Sequence, residues 1–238
     1  MKKILASILF VLTIFMGNSF ASTPVETLIP VENIYVPNGF DSNDNVELVV
    51  EGYLPNLCHK SPSTEVKVIK DTINVTVKAL QYHSSDYFCP PMIVPFIQPV
   101  SIGVLNKGLY KIIVNGKSIF EKKSNINVAE NTSEAVDDFV YAKTSYVEVK
   151  AGSNKAILNG MNPSDCYVID EIKTISNGVD TYSVLPIMKK VRDFCPLKLV
   201  EFKEEFNIPT ELKRDKILLH VRSMDGKSVN TLYHTTEK

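Results

Sequence analysis

The segment Gly52-Tyr53-Leu54-Pro55-Asn56-Leu57-Cys58 carries a pattern that occurs twice in this chain. Gly160-Met161-Asn162-Pro163-Ser164-Asp165-Cys166 repeats the glycine, the proline and the cysteine at the same spacing. A second cysteine follows in each half within one tripeptide, Phe88-Cys89-Pro90 or Phe194-Cys195-Pro196, and a Gly-Lys-Ser triplet comes later, at 116–118 or 226–228. Three landmarks in the same order indicate a tandem duplication of one small domain.

Residues 1–21 are typical of a secretory signal peptide. Lys2 and Lys3 precede an apolar stretch at 4–16, and small residues lead up to Ala21. An uncleaved membrane anchor is the alternative, but the apolar stretch is short for a helix that crosses a bilayer of about 30 Å. We expect cleavage after Ala21, a periplasmic or secreted location, and no stable membrane insertion after cleavage.

The cysteines are predicted to form one disulfide within each half. An even number of cysteines in an exported chain favours disulfides, and the repeat selects Cys58–Cys89 and Cys166–Cys195 if each half folds alone. The alternative is a zinc site that includes His59 and His83 with the first cysteine pair. The second half keeps its cysteines without histidines between them, so we expect disulfides and no metal.

Alternating hydrophobicity predicts β-strands. Apolar residues occupy every second position at 73–79, and the same pattern recurs at 147–151 and at 217–221. In the last of these segments, Ile217, Leu219 and Val221 are expected to face a core, while His220 and Arg222 are expected to face water. Several short strands and one disulfide in about a hundred residues predict an all-β chain with two tandem immunoglobulin-like β-sandwich domains.

Turns and one short helix complete the prediction of local structure. The pairs Asn115-Gly116, Asn177-Gly178 and Asp225-Gly226 suit the left-handed positions of two-residue hairpin turns. The segment 209–216 is the one plausible helical piece, because Pro209 can open a helical turn.

The first half resembles exported bacterial immunoglobulin-like proteins that carry a Gly-Tyr-Leu-Pro-x-x-Cys segment and a Tyr-x-Ile-x-Val-Asn-Gly ending. The second half keeps only the glycine, proline and cysteine of the first motif. The resemblance implies a sandwich fold and export, and it brings no established activity. It also implies that Tyr110 forms a tyrosine-corner hydrogen bond to nearby backbone; the alternative is that Tyr110 is simply a core aromatic residue.

The domain limits follow from composition. The stretch 129–138 is acidic and polar without alternation, so it is predicted to be a linker between domains at 25–128 and 139–238. The net charge of −1 gives no sign of the basic face that nucleic-acid binding needs. We therefore expect no nucleic-acid partner.

Catalytic and metal-binding candidates are few. His59 and His83 are possible general bases, and residues 84–86 supply Ser-Ser-Asp beside His83. A polar surface loop is the simpler interpretation, because sequence neighbours in a loop rarely have the geometry of a catalytic triad. Residues 41–45 are rich in oxygen ligands but lack the spaced glutamate of a calcium loop, so they are interpreted as a turn. We expect no enzyme activity and no cofactor.

The segment 90–99 is unusual because it has four prolines among apolar residues. It is interpreted either as an edge strand whose prolines prevent aggregation or as an apolar ledge that contacts a partner. In the second interpretation the candidate contact residues are Met92, Ile93, Val94, Pro95, Phe96 and Ile97.

Three functions are considered for such a chain. The first is an exported, non-enzymatic binding or envelope protein that contacts another exported or envelope protein. The second is a secreted protease inhibitor that uses residues 90–99 as a rigid decoy loop. The third is a periplasmic chaperone built from two sandwiches.

Overall fold

The computed structural model of the chain describes residues 23–82, 88–135, 137–150 and 152–235. Within these residues the regular structure consists of β-strands, without helices. The strands are β1 (Val25–Leu28), β2 (Val31–Tyr35), β3 (Phe40–Asp41), β4 (Val46–Leu54), β5 (His59–Ile69), β6 (Thr72–Gln81), β7 (Val94–Gly103), β8 (Gly108–Val114), β9 (Lys122–Ala129), β10 (Thr144–Val149), β11 (Lys155–Asn162), β12 (Tyr167–Ser176), β13 (Thr181–Lys190), β14 (Val200–Asn207), β15 (Lys216–Ser223) and β16 (Lys227–His234).

The strands form two tandem immunoglobulin-like β-sandwiches, as the sequence predicts. In the first, the sheet β2-β4-β7 packs against β5-β6-β8-β9, with β1 beside β6 and β3 beside β9. The second repeats this plan with β10-β11-β14 and β12-β13-β15-β16. Each larger sheet holds a parallel pair at its centre, β6 with β8 or β13 with β15. The duplicated sequence is therefore a duplicated topology.

Strand alternation places the predicted residues in two separate cores. Every second side chain of β6, from Ile73 to Ala79, is buried in the first core. Ile217, Leu219 and Val221 of β15 are buried in the second core, and Val147 and Val149 pack against its side. Burying an aliphatic side chain of this size contributes about 1.5–3 kcal/mol, so these rows of residues hold the two sheets of each sandwich together.

The repeated glycine has a steric role in both halves. A Cβ atom on Gly52 would lie 2.2 Å from the carbonyl oxygen of Pro30, and one on Gly160 would lie 2.1 Å from that of Lys143. These distances are shorter than any non-bonded contact that a carbon atom tolerates. The glycine of each Gly-x-x-Pro-x-x-Cys segment therefore lets a neighbouring chain approach the strand that leads to the disulfide.

The predicted disulfides are confirmed. Cys58 is bonded to Cys89 and Cys166 to Cys195, with Cα atoms 5.5 Å and 5.3 Å apart. The zinc alternative is thereby excluded for the first pair, since its sulfur atoms are bonded to each other. Each disulfide closes a loop that should restrict the unfolded chain by roughly 3–4 kcal/mol in the loop-entropy treatment.

The tyrosine corner is also confirmed. The hydroxyl of Tyr110 donates to the carbonyl oxygen of Asn106 at 3.0 Å, and the ring is buried in the first core. This bond fixes the chain where it enters β8. The second half has Ile217 near the corresponding place, so the corner belongs to the first domain.

The three predicted turns are longer than two residues. Asn115 and Asp225 adopt the expected left-handed conformation, with φ of 50° and 64°. However, β8 and β9 are joined by residues 115–121, β12 and β13 by residues 177–180, and β15 and β16 by residues 224–226. In the first loop, the side chain of Asn115 accepts from the Val77 N–H at 2.7 Å and donates to the Ile29 carbonyl at 3.0 Å. Asn115 is thus a buried residue that hydrogen-bonds to two other segments of the chain, and it does not lie at the tip of a hairpin turn.

The predicted helix at 209–216 is wrong. The backbone N–H of Ile208 donates to the Asn154 carbonyl at 2.7 Å, and the N–H of Leu212 donates to the Tyr182 hydroxyl at 3.1 Å. Both side chains are buried in the second core. Because these anchors fasten the segment across the core, residues 208–214 run without regular structure into β15.

The region between the sandwiches is organised by side-chain hydrogen bonds. Asp138 accepts from the backbone N–H groups of Thr132 and Ser133, and also from the Asn43 side chain. Hydrogen bonds from the Thr132 hydroxyl and backbone N–H, with those from the Ser133 hydroxyl and the Asn43 side chain, hold the pKa of the Asp138 carboxyl well below its usual range. The described residues of the predicted linker beyond Ala129 contain no strand, and the predicted domain limits stay a prediction.

Several sequence predictions fall outside the described residues. The signal peptide at 1–21, His83 with the adjacent 84–86, and Ala151 of the third alternating segment all lie there. They stay predictions.

Candidate contact surfaces and the interdomain interface

The proline-rich segment forms an edge strand. β7 pairs with β4 on one side, and its other side has no strand neighbour among the described residues. Pro95 and Pro99 lie opposite Tyr53 and Val49 of β4. Since a proline has no N–H to donate, it is tolerated where the backbone nitrogen faces away from the neighbouring strand. The exposed edge of β7 therefore lacks two of its hydrogen-bond donors.

The structure divides the six candidate contact residues into two groups. Val94 and Phe96 are partly buried and pack against the first core, and their contact with a partner stays a prediction. Met92, Ile93 and Ile97 have large exposed apolar side chains, and Pro95 is exposed beside them. Because residues 94–99 are fixed in β7, the segment is not a free decoy loop, and the inhibitor interpretation gains no support.

Exposed apolar side chains gather at the disulfide end of each sandwich. In the first domain, Phe88 is 82% exposed and stands next to Cys89, with Met92 and Ile93 following. In the second domain, Phe194 is 82% and Leu197 is 96% exposed on either side of Cys195. The repeated Phe-Cys-Pro tripeptide signals both places in the sequence. Sequence reasoning used it only to pair the cysteines and missed the contact surface of the second half.

The two sandwiches pack face to face. The outer face of β2 and β4 lies against the outer face of β15 and β16. The apolar centre of this interface contains Tyr35, Val49 and Leu218, all buried, with Leu232 beside them. The Tyr35 hydroxyl donates to Glu51 at 2.8 Å, and the Lys216 ammonium contacts the same carboxylate at 2.6 Å. Burial and the adjacent carboxylate raise the pKa of Tyr35 far above its usual value.

Arg222 occupies one end of the interface and is 6% exposed. Its guanidinium pairs with Asp44 at 2.8 Å, donates to the Gly39 carbonyl, and donates to the Tyr141 hydroxyl at 3.2 Å. It also lies 4.4 Å from the centre of the Phe40 ring. A buried charge is tolerated when it is paired and hydrogen-bonded in this way, so Arg222 joins the second sandwich to β3 and the turn that follows it.

His220, which is 1% exposed, lies between Arg222 and the apolar centre. Its Nδ1–H donates to the Asn230 side-chain oxygen at 2.9 Å, while Glu47 of the first domain accepts from Ser228 and Asn230 at 2.6 Å and 3.0 Å. Burial lowers the pKa of His220, against the opposing effect of Glu47. The serine donates to the carboxylate and not to the imidazole, so these bonds hold the interface together and do not form a nucleophile–base relay.

His220 and Arg222 were expected to face water, and that expectation is wrong. The alternation of β15 is present, but its second face is covered by the first domain. This face of the second domain carries the cations Lys216 and Arg222, whereas the opposing face of the first carries Asp44, Glu47 and Glu51. The ion pairs across the interface therefore join cations of the second domain to carboxylates of the first, while Asp180 of the second domain accepts from the Asn33 side chain of the first at 3.2 Å.

The direction of the strands places the two disulfides at opposite ends of the molecule. Lys216 meets Glu51, while Arg222, farther along β15, meets Asp44, which precedes β4; the two strands thus run antiparallel across the interface. β4 leads towards Cys58, and β15 runs parallel to β13, whose end reaches Cys166 through the bond from Val191 N–H to the Cys166 carbonyl. The two apolar disulfide ends therefore point away from each other.

The remaining sequence candidates have structural partners. His59 is buried, and its Nδ1 lies 2.8 Å from the Asn56 side-chain oxygen. Residues 41–44 form a turn closed by the bond from Asp44 N–H to the Asp41 carbonyl, and the Asp44 carboxylate is engaged by Arg222. No group of three or more histidine, cysteine, aspartate or glutamate side chains suited to hold a metal occurs in the described part of the chain.

Comparison with known proteins supports the fold of the first domain. Residues 48–126 match the family model described as the ORF11 beta-sandwich domain. That range runs from β4 into β9 and so covers most of the first sandwich. No curated protein and no solved structure matches the chain. Among the described residues there is no helix long and apolar enough to cross a membrane.

Proposed function

We propose that this chain is an exported, non-enzymatic binding or cell-envelope protein that acts through protein–protein contacts at its disulfide ends. The partner is another exported or envelope protein. The first domain contributes Phe88, Met92 and Ile93 to the contact, and the second contributes Phe194 and Leu197.

The observation that carries this proposal is the exposure of large apolar side chains beside both disulfides. Phe88 and Phe194 project into solvent next to covalently closed loops. Contiguous exposed apolar side chains are uncommon on monomeric soluble proteins and mark interaction sites. A disulfide beside such a residue limits the conformational entropy that the loop loses on binding.

Export is supported by two features. The two disulfides indicate an oxidising, extracellular-type environment. The charged and apolar segments of residues 1–21 are typical of a bacterial secretory signal. Together they favour the periplasm or the surrounding medium.

Site-specific photocrosslinking in the native cell tests the proposed contact. A photoreactive phenylalanine analogue is placed at Phe88, and in a separate variant at Leu109. Leu109 is also exposed, but it lies near the start of β8, away from the end of β6 that adjoins the disulfide. We expect one defined protein adduct from position 88 and none from position 109.

A triple variant, Phe88→Ser with Met92→Ser and Ile93→Ser, serves as the competition control. It should fold normally, because these side chains are exposed, and it should fail to compete with the native chain for the partner. The proposal is contradicted if positions 88 and 109 give the same adducts, or if the triple variant competes as well as the native chain.

A further inference from the structure

The free edge of β14 is a surface separate from the disulfide ends and from the interdomain interface. β14 pairs with β11 over its whole length, from Lys155 opposite Asn207 to Asn162 opposite Val200, without a register shift. Its other side has no strand partner in the described part of the chain. A regular edge of this length is a template for one more strand.

The backbone groups that face this open edge can be identified. Lys198 N–H donates to the Pro163 carbonyl at 3.0 Å, and Ile208 N–H donates to the Asn154 carbonyl at 2.7 Å. Even-numbered residues therefore point their backbone groups towards β11. In an antiparallel pair the N–H and C=O of one residue point to the same side, so Glu201, Lys203 and Glu205 present theirs to the open edge.

The corresponding edge of the first domain is blocked. Gly52 lies opposite Phe96 in β7, and Gly160 lies opposite Phe202 in β14. Counting from these pairs, Pro95 matches Glu201, and Pro99 matches Glu205. The two copies of one edge thus differ in their donors: β7 has prolines where β14 has free N–H groups.

We propose that the open edge of β14 binds an extended segment of a partner protein as an additional β-strand. Main-chain hydrogen bonds to residues 201–207 supply the affinity of such an addition, and alternate side chains supply its specificity. This site is separate from the disulfide ends, so its test is independent of the proposed contact at Phe88.

The charges along β14 indicate the chemistry of the partner segment. Glu205 is paired with Lys150 and Lys155, which lower its pKa to about 2. Glu201 and Glu204 have no recorded ion pair within the described residues, and both are exposed. Glu204 lies on the core-facing side of the strand, between the two phenylalanines at 202 and 206. A matching segment therefore alternates lysine or arginine opposite Glu201 on the outer face of β14 with apolar residues beside Phe202 and Phe206 on its core-facing side.

The same charges disfavour a second copy of this chain as the occupant. In a two-fold antiparallel pair of β14 strands, directly opposite residues share one face of the sheet. A pair centred on Lys203 would place two lysines opposite each other and Glu201 opposite Glu205, and one centred on Glu205 would place two glutamates opposite each other. A pair centred on Glu204 would oppose two glutamates but would also place Lys203 opposite Glu205. Like charges in that position are destabilising, so two of these three registers are disfavoured, and the exposed Glu201 and Glu204 favour a basic segment of another protein as the occupant.

Peptide binding to the full chain tests this inference. The probes are two fluorescein-labelled peptides, one of alternating valine and lysine and one of alternating valine and glutamate, measured by fluorescence anisotropy. The informative variants are the double changes E201P/E205P and E201Q/E205Q. Both remove the same two charges, but only the first removes N–H groups, at positions where β7 shows that proline is tolerated.

We expect the valine–lysine peptide to bind the native chain at least about tenfold more tightly than the valine–glutamate peptide. E201P/E205P should bind it at least about tenfold more weakly than E201Q/E205Q, with both variants unfolding at similar temperatures. Equal binding by these two variants, no binding to the native chain, or no preference for the basic peptide would overturn the proposal. Self-association of the native chain that E201P/E205P abolishes would also overturn it, because the occupant would then be a second copy.

Discussion

At the scale of single residues, Arg222 connects the two domains, a role that the sequence did not predict. It contacts a carboxylate, a backbone carbonyl, a hydroxyl and an aromatic ring, all supplied from outside its own strand. Removing it leaves the Asp44 carboxylate buried without a cation. Breaking one side of a buried ion pair is costly because the remaining charge stays desolvated.

Replacing Arg222 with alanine should lower the free energy of unfolding by about 3–5 kcal/mol. Urea denaturation followed by circular dichroism measures the change. The matched control is Lys189→Ala, which breaks the exposed pair with Asp170 and should cost about 1 kcal/mol or less. If the two variants lost similar stability, the buried pair would not be a major contact.

Asp137 provides a pH-dependent test of the same region. Its pKa is raised from 3.8 to about 6, mainly because burial disfavours the charged carboxylate. A raised pKa in the folded state contributes stability at low pH, and that contribution is lost as the pH rises from about 4 through about 6. The Asn variant has no charge to bury.

Asp137→Asn should therefore be more stable than the native chain at pH 7, and this advantage should shrink towards pH 4. Urea denaturation at several pH values in this range measures it. A difference in unfolding free energy that is constant across the range would show that Asp137 is not desolvated in the folded chain.

His220 and Arg222 also show the limit of sequence reasoning about the site. Alternation identified the inward positions of β15 correctly, as the burial of Ile217 and Val221 shows. Alternating hydrophobicity indicates that a strand has two different faces, but it does not indicate what covers the second face. A histidine and an arginine on that face are equally consistent with water and with a facing acidic domain, so the interface was not predictable from them.

At the scale of structural elements, β7 and β14 are copies of one edge that have diverged. In β7, prolines remove donors from the exposed side. In β14, charged side chains replace them and leave the donors free. The prolines of β7 are therefore expected to limit unwanted strand pairing.

Replacing Pro95 and Pro99 together with serine should leave the secondary structure unchanged and increase self-association several-fold. Sedimentation velocity over a range of concentrations measures this, because restored N–H groups make the edge a template for another strand. Pro91→Ser is the control, since Pro91 lies outside β7. Equal self-association of both variants would contradict the edge-blocking role.

Strands, disulfides and the tyrosine corner were predictable because each has a local signal or a strong spacing pattern. The loop lengths and the segment 209–216 were not, because distant contacts determine them. Asn115 is left-handed as its turn preference suggests, yet its side chain is recruited by Ile29 and Val77. Likewise Leu212 is held by Tyr182, a contact that the sequence around Pro209 does not reveal.

At the scale of the whole molecule, the duplication produced two sandwiches whose outer faces became different. Matching registers place Glu148 where the first domain has Tyr35, and Asn159 where it has Glu51. They place Lys111 and Asn125 where the second domain has Leu218 and Leu232. Each of the two docking surfaces, with its apolar centre and its charged residues, is therefore present on only one of the two domains. The differences between the halves therefore account for the way they dock and for the opposite directions of their disulfide ends.

The docking of the two sandwiches places two exposed apolar ends at opposite poles of the molecule. The most direct measurement is the distance between spin labels at Leu57 and Asp193, introduced as non-canonical amino acids so that the disulfides remain intact. Strands of about ten residues rise about 3.3 Å per residue, so labels at opposite poles should give a narrow distribution above about 35 Å. Stacked sheets lie about 10 Å apart, so ends on the same side would give about 20 Å. A short distance, or a broad distribution, would contradict this arrangement of the two domains.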